Sequence, residues 1–260
     1  MQELKDKVAI ITGGGYGIGK KIAHAYAREE MHLVLAARTP GPLDETRAEV
    51  EKMGARAITV RTDVAREDDC VRMVDEAVKA FGRVDILVNN AGIAGPTKLL
   101  TEMTLAEWQQ VLDINLTGAW LASRAAVPAM LKHGGGDIIM ISSGAGRRGF
   151  PLRAPYASSK WGMIGLTQTL AGEWGSKGIR VNCICPGATE GDRIERVIRA
   201  RAEALKIPYE TMKQSFIGAA AMQRMVTEDE VARVSVFLAS DLSAGMTGQT
   251  LNVDAGSIMN

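Results

Sequence analysis

Short, almost unbroken apolar runs alternate with longer amphipathic stretches along the whole chain, and this rhythm constrains the fold more than any other feature. The runs are Val8–Ile11, Leu33–Ala36, Ala57–Val60, Ile86–Val88, Ile138–Ile141 and Ile179–Ile184, with a last one near Thr250–Val253. Helical patterns lie between them, at Gly17–Glu30, Glu67–Phe81, Leu105–Leu131 and Tyr156–Trp174 among others. A strand that is apolar on both sides is buried on both faces, which predicts a parallel sheet with helices above and below. Regular alternation of the two element types makes the class α/β and the architecture a doubly wound sheet of the Rossmann type. No repeat, linker or low-complexity tract divides the chain, so residues 1–260 read as a single domain.

Composition removes several classes of function. With 46% hydrophobic residues in 260, the chain can bury a sizeable core, and a formal charge of +1 offers no general attraction to nucleic acid or to an anionic membrane. A run of eighteen apolar residues, as a membrane span needs, is missing. The opening Met1–Lys7 is too polar for a signal peptide, so a cytoplasmic location is expected. Cys183 and Cys185 alternate on one strand and are poorly placed for a disulfide; His24, His32 and His133 are scattered, so no metal site is expected.

The first strand runs into Thr12-Gly13-Gly14-Gly15-Tyr16-Gly17-Ile18-Gly19 and then into a helix. A tight glycine turn here presents backbone N–H groups and a helix N-terminus to a pyrophosphate. Glycines also make plain loops, but the position between first strand and first helix is the one dinucleotide binding requires. Gly13, Gly15, Tyr16, Gly17 and Ile18 are therefore candidate cofactor contacts. Carboxylates that bind the NAD ribose usually stand at the end of the second strand, whereas this chain has Ala36-Ala37-Arg38. The Arg38 guanidinium suits a 2′-phosphate, which points to NADP, with NAD as the alternative and a solvated Arg38 as the bland reading. Asp63 and Val64 after the third strand, and Asn90 after the fourth, would face the same sheet edge. Residues 187–225 are helix-rich, precede the last strand, and would lie over that edge as a lid.

The chemistry concentrates in Tyr156-Ala157-Ser158-Ser159-Lys160. Residues four apart share a helix face, so the Lys160 ammonium can stabilise the Tyr156 phenolate and make the tyrosine a usable acid or base. Alone, such a pair fits a surface tyrosine and a solvated lysine equally well. Ser143 closes the fifth strand, Asn115 interrupts an apolar helix where an amide is costly, and Cys185-Pro186-Gly187 closes the sixth strand.

Together with Asn89-Asn90-Ala91-Gly92, Thr247-Gly248-Gln249 and Val253-Asp254-Ala255-Gly256, these motifs give the chain a resemblance, over essentially its full length, to the short-chain dehydrogenase/reductase family, including its 3-oxoacyl-carrier-protein reductase members. The resemblance implies a dinucleotide-binding, catalytic domain that interconverts a ketone or aldehyde and an alcohol by hydride transfer. It implies a tetrad in which Tyr156 exchanges the proton, Ser143 holds the substrate oxygen, Lys160 lowers the Tyr156 pKa and binds the nicotinamide ribose, and Asn115 anchors a proton-relaying water. Pro186, Gly187 and Thr189 would lie beside the nicotinamide. It further implies a homotetramer built through helices 105–131 and 156–174. Two departures stand out. Tyr16 occupies a place where NADP-preferring relatives often carry a cation, and Gly191 replaces a frequent threonine, leaving Thr189 to serve the carboxamide.

The substrate class stays open between a general carbonyl or alcohol, sugars and hydroxy acids used with NAD, and 3-oxoacyl chains on an acidic carrier that Lys132 and Lys177 would meet. Retention of the whole tetrad argues against a non-catalytic dinucleotide-binding protein. Arg147, Arg148, Arg153, Arg193 and Arg196 near the site would suit an anionic substrate, although an ordinary solvated charged face is the favoured reading of them.

Overall fold

The computed structural model describes residues 2–259. Seven strands form one parallel sheet: β1 (Val8–Thr12), β2 (His32–Ala37), β3 (Ala57–Arg61), β4 (Ile86–Asn89), β5 (Gly136–Ile141), β6 (Ile179–Pro186) and β7 (Thr250–Val253). Their order is β3-β2-β1-β4-β5-β6-β7. The direction of winding reverses between β1 and β4, which opens a crevice beyond their carboxyl ends.

Alternate side chains of each strand feed two separate cores, as burial on both faces demands. From β1, Val8 and Ile10 enter one core and Ala9 and Ile11 the other; from β5, Ile138 and Met140 part from Ile139 and Ile141 in the same way. The first core lies under α3 (Glu67–Phe81), α5 (Gly118–Leu131) and α6 (Ala154–Trp174), and the second under α1 (Gly17–Arg28), α2 (Pro40–Lys52) and α9 (Glu228–Ala239). Each apolar run of the sequence is a strand, and the differences are one or two residues at the ends. Cys70, Cys183 and Cys185 are buried and unpaired.

One feature departs from the expected pattern. The stretch expected as one helix over 105–131 is α4 (Leu105–Leu112) and α5 joined by a π-helical turn, Asp113–Thr117, centred on Asn115. The helix α2 opens on Pro40-Gly41-Pro42, and proline is well tolerated in a first helical turn. The insertion after β6 folds as α7 (Asp192–Leu205) and α8 (Tyr209–Gly218), a pair with its own small core of Ile198, Ala202, Met212 and Met225. Among the described residues, no helix is long and apolar enough to cross a membrane.

Candidate active site

The carboxyl ends of β1, β2, β4, β5 and β6 line one cleft of about 710 Å3, with α7 and α8 over its far side. That volume suits a cofactor together with a small substrate. The glycine turn forms one end. Gly13 and Gly17 have φ of 69° and 56°, which favour glycine, and a Cβ on Gly19 would run into the Gly13 carbonyl oxygen. Thr12 pins this turn to its neighbour: its Oγ1 donates to Val88 O (3.1 Å) and accepts from the N–H groups of Asn90 (3.0 Å) and Ala91 (3.1 Å). Asn90 Nδ2 donates back to the carbonyls of Thr12 and Gly13. Backbone donors, the start of α1 and open space beside them fit a dinucleotide pyrophosphate.

All the cofactor candidates line this cleft: Gly13, Gly15, Tyr16, Gly17 and Ile18 from the turn, Arg38 after β2, Asp63 and Val64 after β3, Asn90 after β4, and Pro186, Gly187 and Thr189 after β6. Arg38 is exposed and has no ion-pair partner among the described residues. Asp63 Oδ1 accepts from the Ala65 N–H (3.1 Å), and Thr189 Oγ1 donates to Gly187 O (3.2 Å).

Ser143, Tyr156 and Lys160 meet at the other end. Lys160 is buried, donates from Nζ to Ile141 O (2.7 Å), and lies 5.8 Å from the centre of the Tyr156 ring. Ser142, beside Ser143, ties the strand to the helix by donating to Lys160 O (2.8 Å). Burial pushes the Tyr156 phenol up, but Arg193, Lys160, the Ser143 hydroxyl and Arg153 together outweigh it and leave its pKa below the usual tyrosine value. Burial likewise holds the Lys160 ammonium below its ordinary range, partly offset by Tyr156.

Asn115 does not line the cleft. It is fully buried behind Lys160, where Oδ1 accepts from Ile93 N (2.8 Å) while Nδ2 donates to Ile93 O (3.1 Å) and Ser159 Oγ (3.1 Å). A Cβ on Gly92 would lie 3.0 Å from Asn115 Oδ1 and 3.7 Å from Lys160 Nζ, so the two converge on one backbone position.

The arginines divide by burial. Arg148, Arg193 and Arg196 are exposed on the cleft rim, where Arg193 donates from Nη1 to Gly92 O (3.2 Å) and reaches over the Tyr156 ring. Arg153 is not: it is 2% exposed and lies on the cleft wall with its Cζ 5.1 Å from the Tyr156 ring centre. The solvated reading fails there because the segment 144–153 folds inward just before α6 begins.

Glu228, unsuspected from sequence, also faces the cleft. Cβ atoms on Gly17 and Gly191 would lie 3.2 and 3.0 Å from its Oε1, so it bridges the glycine turn and the start of α7; burial raises its pKa. Phe150 and Phe216 close the tyrosine end in an edge-to-face pair with centroids 6.5 Å apart. Neither has a local sequence signal, since loop and lid meet only in three dimensions. Among the described residues no group of three or more His, Cys, Asp or Glu could hold a metal ion.

Comparison with known proteins agrees with this geometry. Residues 13–257 match a family model described as enoyl-(acyl-carrier-protein) reductase. The chain is 40% identical to a 3-oxoacyl-[acyl-carrier-protein] reductase of Synechocystis sp., over 100% of both chains. It is 36% identical to glucose 1-dehydrogenase 2 of Bacillus subtilis, over 98% of this chain and 96% of that one. Solved structures with the same fold include an NAD+-bound xylitol dehydrogenase (TM-score 0.94, 32% identity, 98% of this chain and 100% of that one). A carveol dehydrogenase from Mycobacterium avium in complex with NAD is another (TM-score 0.93, 31% identity, 99% of each chain).

Proposed function

The chain belongs to the short-chain dehydrogenase/reductase family, whose members are oxidoreductases, and from that premise we propose that it is an NADP(H)-dependent enzyme interconverting a ketone or aldehyde and its alcohol with Tyr156 as acid and base. One observation carries the reading: the acidified Tyr156, flanked by Lys160 and Ser143, shares a single cleft with the glycine turn.

The dinucleotide supplies a hydride in one direction and accepts it in the other. Its pyrophosphate would rest on the Gly13–Ile18 turn, its adenine near Asp63 and Val64, and its nicotinamide beside Pro186, Gly187 and Thr189. In reduction, Tyr156 Oη donates its proton to the carbonyl oxygen while Ser143 Oγ donates a hydrogen bond to the same oxygen. The phenolate left behind is held by the Lys160 ammonium, which would also bind the nicotinamide ribose. The lost proton returns through Lys160 Nζ from water on the Asn115 side. In oxidation each transfer runs backwards.

Arg38 in place of a carboxylate supports NADP, whereas the NAD held by two structural neighbours and the uncharged Tyr16 support NAD. Titration of the protein with NADPH and NADH, followed by nicotinamide fluorescence, decides between them. Arg38→Ala is expected to weaken NADPH about tenfold to a hundredfold and leave NADH unchanged, as loss of one charge-assisted contact implies. Tighter NADH binding with Arg38→Ala indifferent would make the enzyme an NAD-linked dehydrogenase. The outer faces of α5 and α6, which expose Trp120 and Trp161, support assembly as a homotetramer.

A further inference from the structure

Arg153 poses an energetic problem that the reaction at Tyr156 does not solve. Removing a guanidinium from water is costly unless an opposite charge and hydrogen bonds replace the solvent. Arg153 is 2% exposed, and no carboxylate pairs with it among the described residues. Its Nη2 donates to Ala94 O (2.6 Å), while its Nε has no hydrogen-bond partner. Further cations approach rather than anions. The Arg193 Cζ lies 5.8 Å from the Tyr156 ring that Arg153 also flanks, and the Arg201 Cζ lies 4.7 Å from the Phe150 ring that Arg153 faces at 5.8 Å. Burial pushes Arg153 down to about 10, with Arg193 and Arg201 acting in the same direction; only the Tyr156 phenolate, which exists for part of the reaction cycle, opposes them.

The pyrophosphate of a dinucleotide does not answer this charge, because it belongs at the glycine turn, at the opposite end of the cleft. What remains is the substrate. We infer that the substrate carries a compact oxyanion, a carboxylate or sulfonate, within a few bonds of its reacting carbonyl, and that Arg153 binds this group with Arg193 on the open side. The inference rests on the oxidoreductase reading and narrows it. A carbonyl oxygen at Tyr156 would bring the neighbouring substituent towards Arg153, whose Cζ lies 5.1 Å from the Tyr156 ring centre and whose guanidinium donors match such oxyanions. The Phe150–Phe216 pair and the Arg201 Nη1 donation to Pro151 O (2.7 Å) close the same end, which suits a short acid better than a long acyl chain on a carrier.

Steady-state reduction of acetoacetate and 2-oxopropanesulfonate, against methyl acetoacetate and acetone as neutral counterparts, tests the assignment. Wild-type protein should show kcat/KM at least tenfold higher for the acids. Arg153→Ala should raise KM for the acids and bring the ratio near one, any change transmitted through Tyr156 falling on acids and neutral ketones alike, while Arg153→Lys should keep part of the preference. Neutral ketones reduced as well as the acids by wild-type protein would overturn the anion assignment and leave the oxidoreductase reading standing. Equal losses on acids and neutral ketones in Arg153→Ala would also overturn it, placing Arg153 in support of Tyr156 instead. Absence of nicotinamide binding and of any carbonyl turnover would overturn both readings.

Discussion

The acidity of Tyr156 is set by a contest between burial, which favours the neutral phenol, and the cations Arg193, Lys160 and Arg153, which favour the phenolate. The cations win, so the phenolate forms below the ordinary tyrosine range. Alcohol oxidation needs the phenolate, and its kcat/KM should therefore rise with pH about a midpoint below the usual tyrosine value. Reduction needs the phenol and should fall over the same interval. Removing a cation favours the neutral form and raises the pKa. Profiles measured on a neutral alcohol should accordingly move to higher pH in Arg193→Ala, and Tyr156→Phe should lose about 10²–10⁴-fold in turnover. A limb that stays in place in Arg193→Ala would show that another group titrates. Tyr156 and Lys160 were legible in the sequence because a spacing of four fixes their relation on any helix. Arg153 was not, because its burial depends on how the loop before α6 packs against α7 and α8.

At the scale of elements, α4–α6 divide their faces between core and surface. Met163, Ile164, Leu170 and Ala171 of α6 enter the core beside Leu121, Ala122 and Ala126 of α5. The opposite sides leave Trp120 43% and Trp161 50% exposed, with Leu105 on α4 more exposed still. These exposed aromatic side chains are the surface through which the proposed homotetramer would assemble. A charge buried against such a face is costly, so Trp161→Glu should shift the light-scattering mass from that of a tetramer to a smaller species. A tetramer that tolerates the glutamate would place the interface elsewhere. The helices themselves were legible as the longer stretches between the apolar strand runs. The π-helical turn at Asn115 was hidden, since one extra residue in a turn leaves the apolar pattern on both sides intact. What fixes it is the pairing of the Asn115 amide with both backbone groups of Ile93, a contact 22 residues apart. The helix α2 buries only Leu43, Thr46 and Val50, too sparse a stripe to stand out from a segment that begins with two prolines.

For the whole molecule, the cleft gathers the loops that follow five strands of the sheet. The glycine turn after β1, Arg38 after β2, Asp63 after β3, Asn90 after β4 and Thr189 after β6 all face it, while Glu228 bridges the glycine turn and the start of α7. A ligand filling this space holds both halves of the doubly wound sheet and binds the folded chain alone. Its binding free energy then adds to stability as RT ln(1 + [L]/Kd), about 2.7 kcal/mol at a hundredfold excess over Kd. For a chain near this size such a gain corresponds to a rise in Tm of about 5–10 °C. NADPH should produce that rise in a thermal melt of the wild-type protein, and Arg38→Ala should lose part of it at the same NADPH concentration. With NADH matched to the same multiple of its own Kd, both proteins should respond alike, because Arg38 would answer only the 2′-phosphate. An equal NADPH response in both proteins would place Arg38 in solvent, as its exposure alone would suggest, and leave the adenosine end to be recognised by Asp63 and Val64.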